Sequence, residues 1–194
     1  MTERYPVLAE FAANSCYNQA QVTRLHAEHA ADADAFWRRQ AERLTWSKPF
    51  SVVKNVSFQQ EDFRIKWFED GELNVAVNCL DRHLPEQADK TAIIWESDDP
   101  ATPSQHISYQ ALHDRVCQLA NALRHLGIAK GDRVSIYLPM IPEAAVAMLA
   151  CARIGAIHSV IFAGFSPDAI ASRLADCGTK LVITASAGQR GGKW

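Results

Sequence analysis

The chain has no apolar run approaching the roughly 18 residues that a membrane-spanning helix needs. Its most apolar stretch, Ala144 to Ile161, is interrupted by Arg153, Gly155 and His158. No membrane span is expected. The first residues, MTERYPVLAEFAANS, scatter Glu3, Arg4 and Glu10 among the apolar ones. The uncharged core of a secretory signal is therefore missing, and a cytoplasmic protein is expected. An excess of one charge is also missing: the net charge is −2, which gives no support to nonspecific nucleic-acid binding. The five cysteines, Cys16, Cys79, Cys117, Cys151 and Cys177, are odd in number, widely spaced and free of any CxxC pair. Neither a disulfide framework nor a zinc or redox motif is indicated. Reduced thiols are expected, with Cys117 and Cys151 as small buried hydrophobes inside apolar helical patterns. The GxSxG elbow, the HExxH pair and the GxxxxGK[ST] loop are absent, so no nucleophile and base, zinc pair or P-loop can be assembled from local sequence.

What is present is a globular composition, 48% hydrophobic and 22% charged over 194 residues, enough for one domain with a sizeable core, or one domain plus an appendage. Residues 1 to about 50 have helical spacing, first from Gln19 through His29, then from Asp32 to Leu44, and Pro49 ends the pattern. Val52 to Phe68 is dense in aromatic and β-branched residues and is expected to be irregular, followed by a turn at Asp70-Gly71. Leu73 to Leu84 resumes helical spacing before Pro85. A composition change at Pro85 to Lys90 sets the expected domain boundary, with residues 1–85 before it and 86–194 after it.

From Thr91 onward the pattern is α/β. Thr91 to Glu96 is an expected strand, and His106 to Ser108 a short second one. Ser108 caps a helix closed by Gly127. Strands at Arg133 to Leu138, Ala156 to Phe162 and Leu181 to Thr184 alternate with helices that open at Pro142 and Ser166-Pro167 and close at Gly155 and Gly178. Those strands start roughly two dozen residues apart, the size of a compact βα unit with right-handed crossovers and a parallel sheet. The middle helix, PEAAVAMLACARIG, is apolar on nearly every face and is expected to be buried.

Ligands of open parallel sheets bind at the carboxyl ends of the strands. Phe162, Ala163 and Gly164 occupy such an end: the small residues leave the backbone approachable and the ring offers a stacking face. A plain βα turn is the competing reading. The final strand leads into Gly188-Gln189-Arg190-Gly191-Gly192-Lys193. Arginine offers a fork of donors to phosphate, lysine a mobile point charge, and glycines accessible backbone N–H groups. On residue chemistry alone a solvated loop is the simpler account of that turn. His158, alone within a strand, reads as a structural residue, and Ser166 as a helix cap.

Four segments carry a resemblance: IKWFEDGELNVAVNCLDRHL (65–84), AIIWESDDP (92–100), LPMIPEAAVAMLACARIGAIHSVIFAGFSP (138–167) and ITASAGQRGGK (183–193). They resemble the acetyl-CoA synthetases, which belong to the adenylate-forming enzymes. The resemblance implies an α/β fold: a helical N-terminal cap, then the first βα units of the largely parallel sheet of the adenylating domain. It implies a ligase that converts acetate and ATP to acetyl-adenylate and pyrophosphate and then lets the CoA thiol displace AMP, with Mg2+ assisting the first step. Arg190, Gly191, Gly192 and Lys193 match a segment of the CoA site, and Phe162, Ala163 and Gly164 a neighbouring part of it. Lys193 stands where the family commonly has arginine, and Ala163 where glycine is usual.

The family's ATP phosphate loop, acid pocket and catalytic lysine match nothing in these 194 residues. The chain is therefore expected to be the N-terminal part of such a ligase, inactive alone, with the rest of its own polypeptide as partner and neither nucleic acid nor membrane. The alternatives are a related short-chain ligase, such as a propionyl-CoA synthetase, and a free-standing noncatalytic nucleotide- or CoA-binding module.

Overall fold

A computed structural model describes residues 5–188. Arg190, Gly191, Gly192 and Lys193 lie outside the described residues. The chain divides into two units, one comprising the residues up to Leu44 with Lys48–Gly71, the other Thr45–Ser47 with the chain from Glu72 onward.

The first unit starts with helices α1 (Ala9–Asn14), α2 (Gln19–Ala31) and α3 (Ala33–Ala41). Asn18 opens α2 with a reciprocal cap: its carboxamide oxygen accepts from Gln21 N at 2.9 Å, and Gln21 Oε1 accepts from Asn18 N at 2.8 Å. Asp32 has extended backbone, which ends α2, and its carboxylate accepts from Ala35 N at 2.9 Å, which starts α3. The segment expected to be irregular instead forms an antiparallel hairpin, β1 (Lys54–Ser57) with β2 (Arg64–Trp67). Each strand has only four residues, too few for alternation to show. What fixes the hairpin is contact from elsewhere in the unit: Trp37 of α3 packs edge-on against Trp67 at 5.9 Å and against Phe36 at 5.3 Å.

Asp70 closes the hairpin's base. Its carboxylate accepts from Ser51 N at 2.9 and 3.0 Å, from Val52 N at 3.2 Å, and from the Ser51 hydroxyl. Bonds from the Ser51 hydroxyl first, then from the Val52 and Ser51 amides, pull the carboxyl from 3.8 down to about 2. A carboxyl depressed by folding stabilises above its unfolded pKa, and that contribution is lost as pH falls through the folded value. Acid titration followed by tryptophan fluorescence should therefore show the first unit losing stability between pH 3.8 and about 2. In Asp70→Asn the unit should be less stable at neutral pH and less pH-dependent over that interval. An unchanged acid transition in the variant would show that the clamp contributes nothing.

The second unit opens with α4 (Val75–Cys79), a 3-10 turn at Asp81–His83 and α5 (Leu84–Gln87). The helical spacing from Leu73 to Leu84 is thus not one helix: Leu80, at φ −125° and ψ −69°, breaks it. Next come β3 (Thr91–Trp95) and β4 (Gln105–Ser108), which pair antiparallel in a sheet of their own. Then follow α6 (Tyr109–His125), β5 (Arg133–Tyr137), α7 (Pro142–Ile154), β6 (Ile157–Val160), α8 (Pro167–Cys177) and β7 (Leu181–Thr184). The last three strands form a parallel sheet in the order β6-β5-β7. The expected caps are in place: Ser108 accepts from Ala111 N at 3.2 Å and Ser166 from Ala169 N at 3.4 Å, while Gly155 and Gly178 end α7 and α8 in the left-handed conformation that glycine tolerates.

The core gathers where α6 and α7 meet β5. Leu112, Val116, Ala120 and Leu123 of α6 join Val146, Ala150 and Cys151 of α7, with Leu80, Ile107, Ile128 and Val134. In α7 only Glu143 is exposed, as the apolar sequence predicts. On the sheet's central strand, buried Ser135 is satisfied by the Thr179 hydroxyl at 2.6 Å.

Candidate functional site

Because β6, β5 and β7 run parallel, their carboxyl ends open at one edge of the sheet. At that edge β5 leads through Pro139 and Met140 into α7, β6 leads through Phe162–Phe165 into α8, and β7 leads into Ala185–Gly188. Ile161 is 2% exposed and donates to Ile136 O at 2.8 Å, whereas Phe162 is 57% exposed. The chain thus leaves the core between those two residues. Phe165 N then donates to Phe162 O at 3.1 Å, closing the turn, and the two rings meet edge to face at 5.8 Å. Arg173 of α8 lies over the Phe165 ring at 4.1 Å, and the Tyr137 hydroxyl, from the end of β5, donates to Ala163 O at 3.0 Å.

The sequence-predicted residues Phe162, Ala163 and Gly164 all sit in this exposed turn. Arg190, Gly191, Gly192 and Lys193 are outside the described residues, but β7, the strand that leads toward them, ends at the same edge. Gly188 lies so close to the β5–α7 loop that a Cβ there would come within 3.2 Å of Pro139 Cβ. That loop is itself pinned by Trp95, whose indole N–H donates to Met140 O at 2.8 Å. Met140 is 92% exposed. The edge therefore presents one thioether, two ring faces and a turn backbone held in place by Tyr137. The N-termini of α7 and α8 open here too, but Glu143 and Asp168 already occupy their first turns. Among the described residues no three His, Cys, Asp or Glu side chains gather to hold a metal ion.

His158 stands exposed on β6. Cys151 is fully buried, and burial pushes its thiol up to about 11, as a buried hydrophobe requires. Cys117 differs: it is half-buried, with its sulfur 3.5 Å from His113 Nε2.

Asp81 carries no local mark of its role in the sequence. Its carboxylate accepts from both terminal nitrogens of Arg153, at 3.1 and 2.8 Å, and lies 3.2 Å from His113 Nε2. Burial works to raise this carboxyl, but the bonds and charge of Arg153 and the charge of His113 hold it below the usual carboxylate range. The segment NCLDRHL was legible as a motif, but its partner Arg153, 72 residues on, was not.

Tyr137→Phe removes the bond to Ala163 without removing the ring. Backbone hydrogen exchange at 163–165 should accelerate severalfold, while global stability falls by no more than about 1 kcal/mol. Unchanged exchange in that turn would show that the phenol does not hold it.

Residues 80–193 match the family model described as AMP-binding enzyme, and residues 22–79 match that of the acetyl-coenzyme A synthetase N-terminus. Over its full length the chain is 57% identical to the acetyl-coenzyme A synthetase of Bradyrhizobium diazoefficiens. Over 193 residues it is 55% identical to that of Xylella fastidiosa. It spans about 30% of the length of each. Among solved structures, acetoacetyl-CoA synthetase from Streptomyces lividans superposes with a TM-score of 0.78 at 28% identity, over 95% of this chain and 28% of that one.

Proposed function

The chain belongs to the AMP-binding enzyme family, and on that premise we propose that it forms the N-terminal part of an AMP-forming acetate–CoA ligase. Residues 1–85 are its N-terminal region and 86–194 the first part of its adenylating domain. The observation that carries this is similarity to acetyl-coenzyme A synthetases along the whole chain, at 57% identity in one case.

In the proposed reaction a carboxylate oxygen of acetate attacks the α-phosphorus of ATP and pyrophosphate leaves. The CoA thiolate then attacks the acetyl carbonyl and AMP leaves. Mg2+, when bound, would offset the phosphate charge that moves in the first step. What this chain supplies is part of the CoA site: Phe162, Ala163 and Gly164, at the carboxyl edge of the sheet, and the basic segment Arg190, Gly191, Gly192 and Lys193. Arg190 would take the nucleotide phosphate through its fork of donors, with Lys193 adding a point charge. Cytoplasmic placement goes with this reading, as do the small-molecule partners acetate, ATP and CoA and the remainder of the same polypeptide. Among the described residues no helix is long and apolar enough to cross a membrane.

The test separates the two half-reactions. In the complete ligase, Arg190→Ala should raise KM for CoA about tenfold or more, while acetate-dependent exchange of pyrophosphate into ATP, which uses no CoA, serves as the control. Equal losses in both would remove the CoA role from Arg190. The 194-residue chain alone should give no such exchange, and exchange by it would overturn the division of labour proposed here.

A further inference from the structure

Away from the carboxyl edge, Cys117 sits in a constellation to which the ligase reading gives no work. It lines a cavity of about 600 Å3 together with Arg124, Lys130 and Arg153, and among the described residues no carboxylate lines that cavity. Behind the sulfur is His113, one helical turn earlier on α6, with Nε2 at 3.5 Å from Sγ and 3.2 Å from Asp81 Oδ1, and Nδ1 at 3.2 Å from Asp114 Oδ1. The ring is thus within reach of the sulfur on one side and oriented by Asp114 on the other, the arrangement of a thiol with an adjacent base that can take its proton. A second, independent observation comes from Arg153. Two of its nitrogens are taken by Asp81, but Nε is buried with no partner, and the residue lines the same cavity. The half-buried sulfur thus lines a cavity with Arg124 and Lys130, and with Arg153, which is paired with Asp81, and a basic lining of this kind attracts an anion.

We propose that Cys117 is a thiol–disulfide exchange site for a low-molecular-weight disulfide bearing carboxylates, with His113 holding the thiol's proton and Arg124, Lys130 and Arg153 attracting the anionic reagent. The Cys117 thiolate attacks one sulfur of the disulfide, a new S–S bond forms to Sγ, and the other sulfur leaves as a thiolate with the electron pair. The disulfide is the oxidant, and the proton from Cys117 stays on His113 until the departing thiolate or solvent takes it. The cysteines provide internal controls: Cys16 and Cys79 are exposed, and Cys151 is buried.

The test treats the 194-residue chain with dithiobis-nitrobenzoate, an anionic aromatic disulfide, and with neutral dithiodipyridine, reading the rate at each cysteine by peptide mass spectrometry. With the anionic probe Cys117 should react about tenfold faster than the more exposed Cys16 and Cys79, and added salt should erode that advantage. With the neutral probe the advantage should shrink severalfold. His113→Gln, checked for native circular dichroism, should slow Cys117 about tenfold. Arg124→Gln should weaken only the preference for the anionic probe, which keeps the test decisive if the histidine variant unfolds. Cys117 reacting no faster than Cys16, or equally with both probes, would overturn the proposal.

Discussion

Val146, Ala150 and Cys151 turn a face with little side-chain bulk toward α6 and β5, and the placement of the neighbouring strands follows from that close seating. Val116, Ala150 and Cys151 are 0% exposed, so the contact has no slack. Added methylenes in such a packed layer typically cost about 1–3 kcal/mol. Because α7 connects β5 to β6, any shift of its axis would move the ends of both strands. The helix is also tied at its far end, where Arg153 grips Asp81 and where the Asn74 carboxamide donates to the carbonyls of Ala152 and Arg153 at 3.2 and 3.0 Å. Packing fixes how deep α7 lies, and these polar ties fix where it stops.

Most of the second unit was legible because its signals are local. Pro142, Gly155, Ser166 and Gly178 each act on the backbone at their own position, so helix limits could be read without knowing any partner. The depth of α7 was legible for a related reason, since a helix without a polar face has no stable place on a surface. What was not legible depends on pairing across distance. The β1–β2 hairpin is held by Trp37 and Asp70 rather than by the alternation of its own four-residue strands. The antiparallel pairing of β3 with β4, apart from the parallel sheet, likewise had no signature in either strand.

The candidate site divides in the same way. Phe162, Ala163 and Gly164 could be picked out because a strand followed by small residues and a helix cap is a local pattern, and their place at the sheet edge then follows from topology. The Tyr137 hydroxyl that holds their turn could not, because a tyrosine ending a strand carries no mark of what it will reach 26 residues later. Cys117 shows the converse failure. Its apolar helical setting made it read like Cys151, and only the arrival of His113, Asp81 and Arg153 around it sets the two thiols apart.

The two ends of the parallel sheet are chemically opposed, and the opposition follows from chain direction. At the amino ends of the strands the preceding helices finish, and their last carbonyls need donors. Lys180 supplies one to Gly127 O at 2.8 Å while also pairing with Asp132, and Arg133 donates to the carbonyls of Cys177 and Gly178 at 3.1 and 3.2 Å. Cations therefore collect there for structural reasons. At the carboxyl ends the chain emerges instead into turns whose carbonyls and rings are held by Tyr137, Trp95 and Arg173, leaving Phe162 and Met140 exposed. Arg173 brings one cation to that edge, over the Phe165 ring, and two more, Arg190 and Lys193, follow β7 in the sequence.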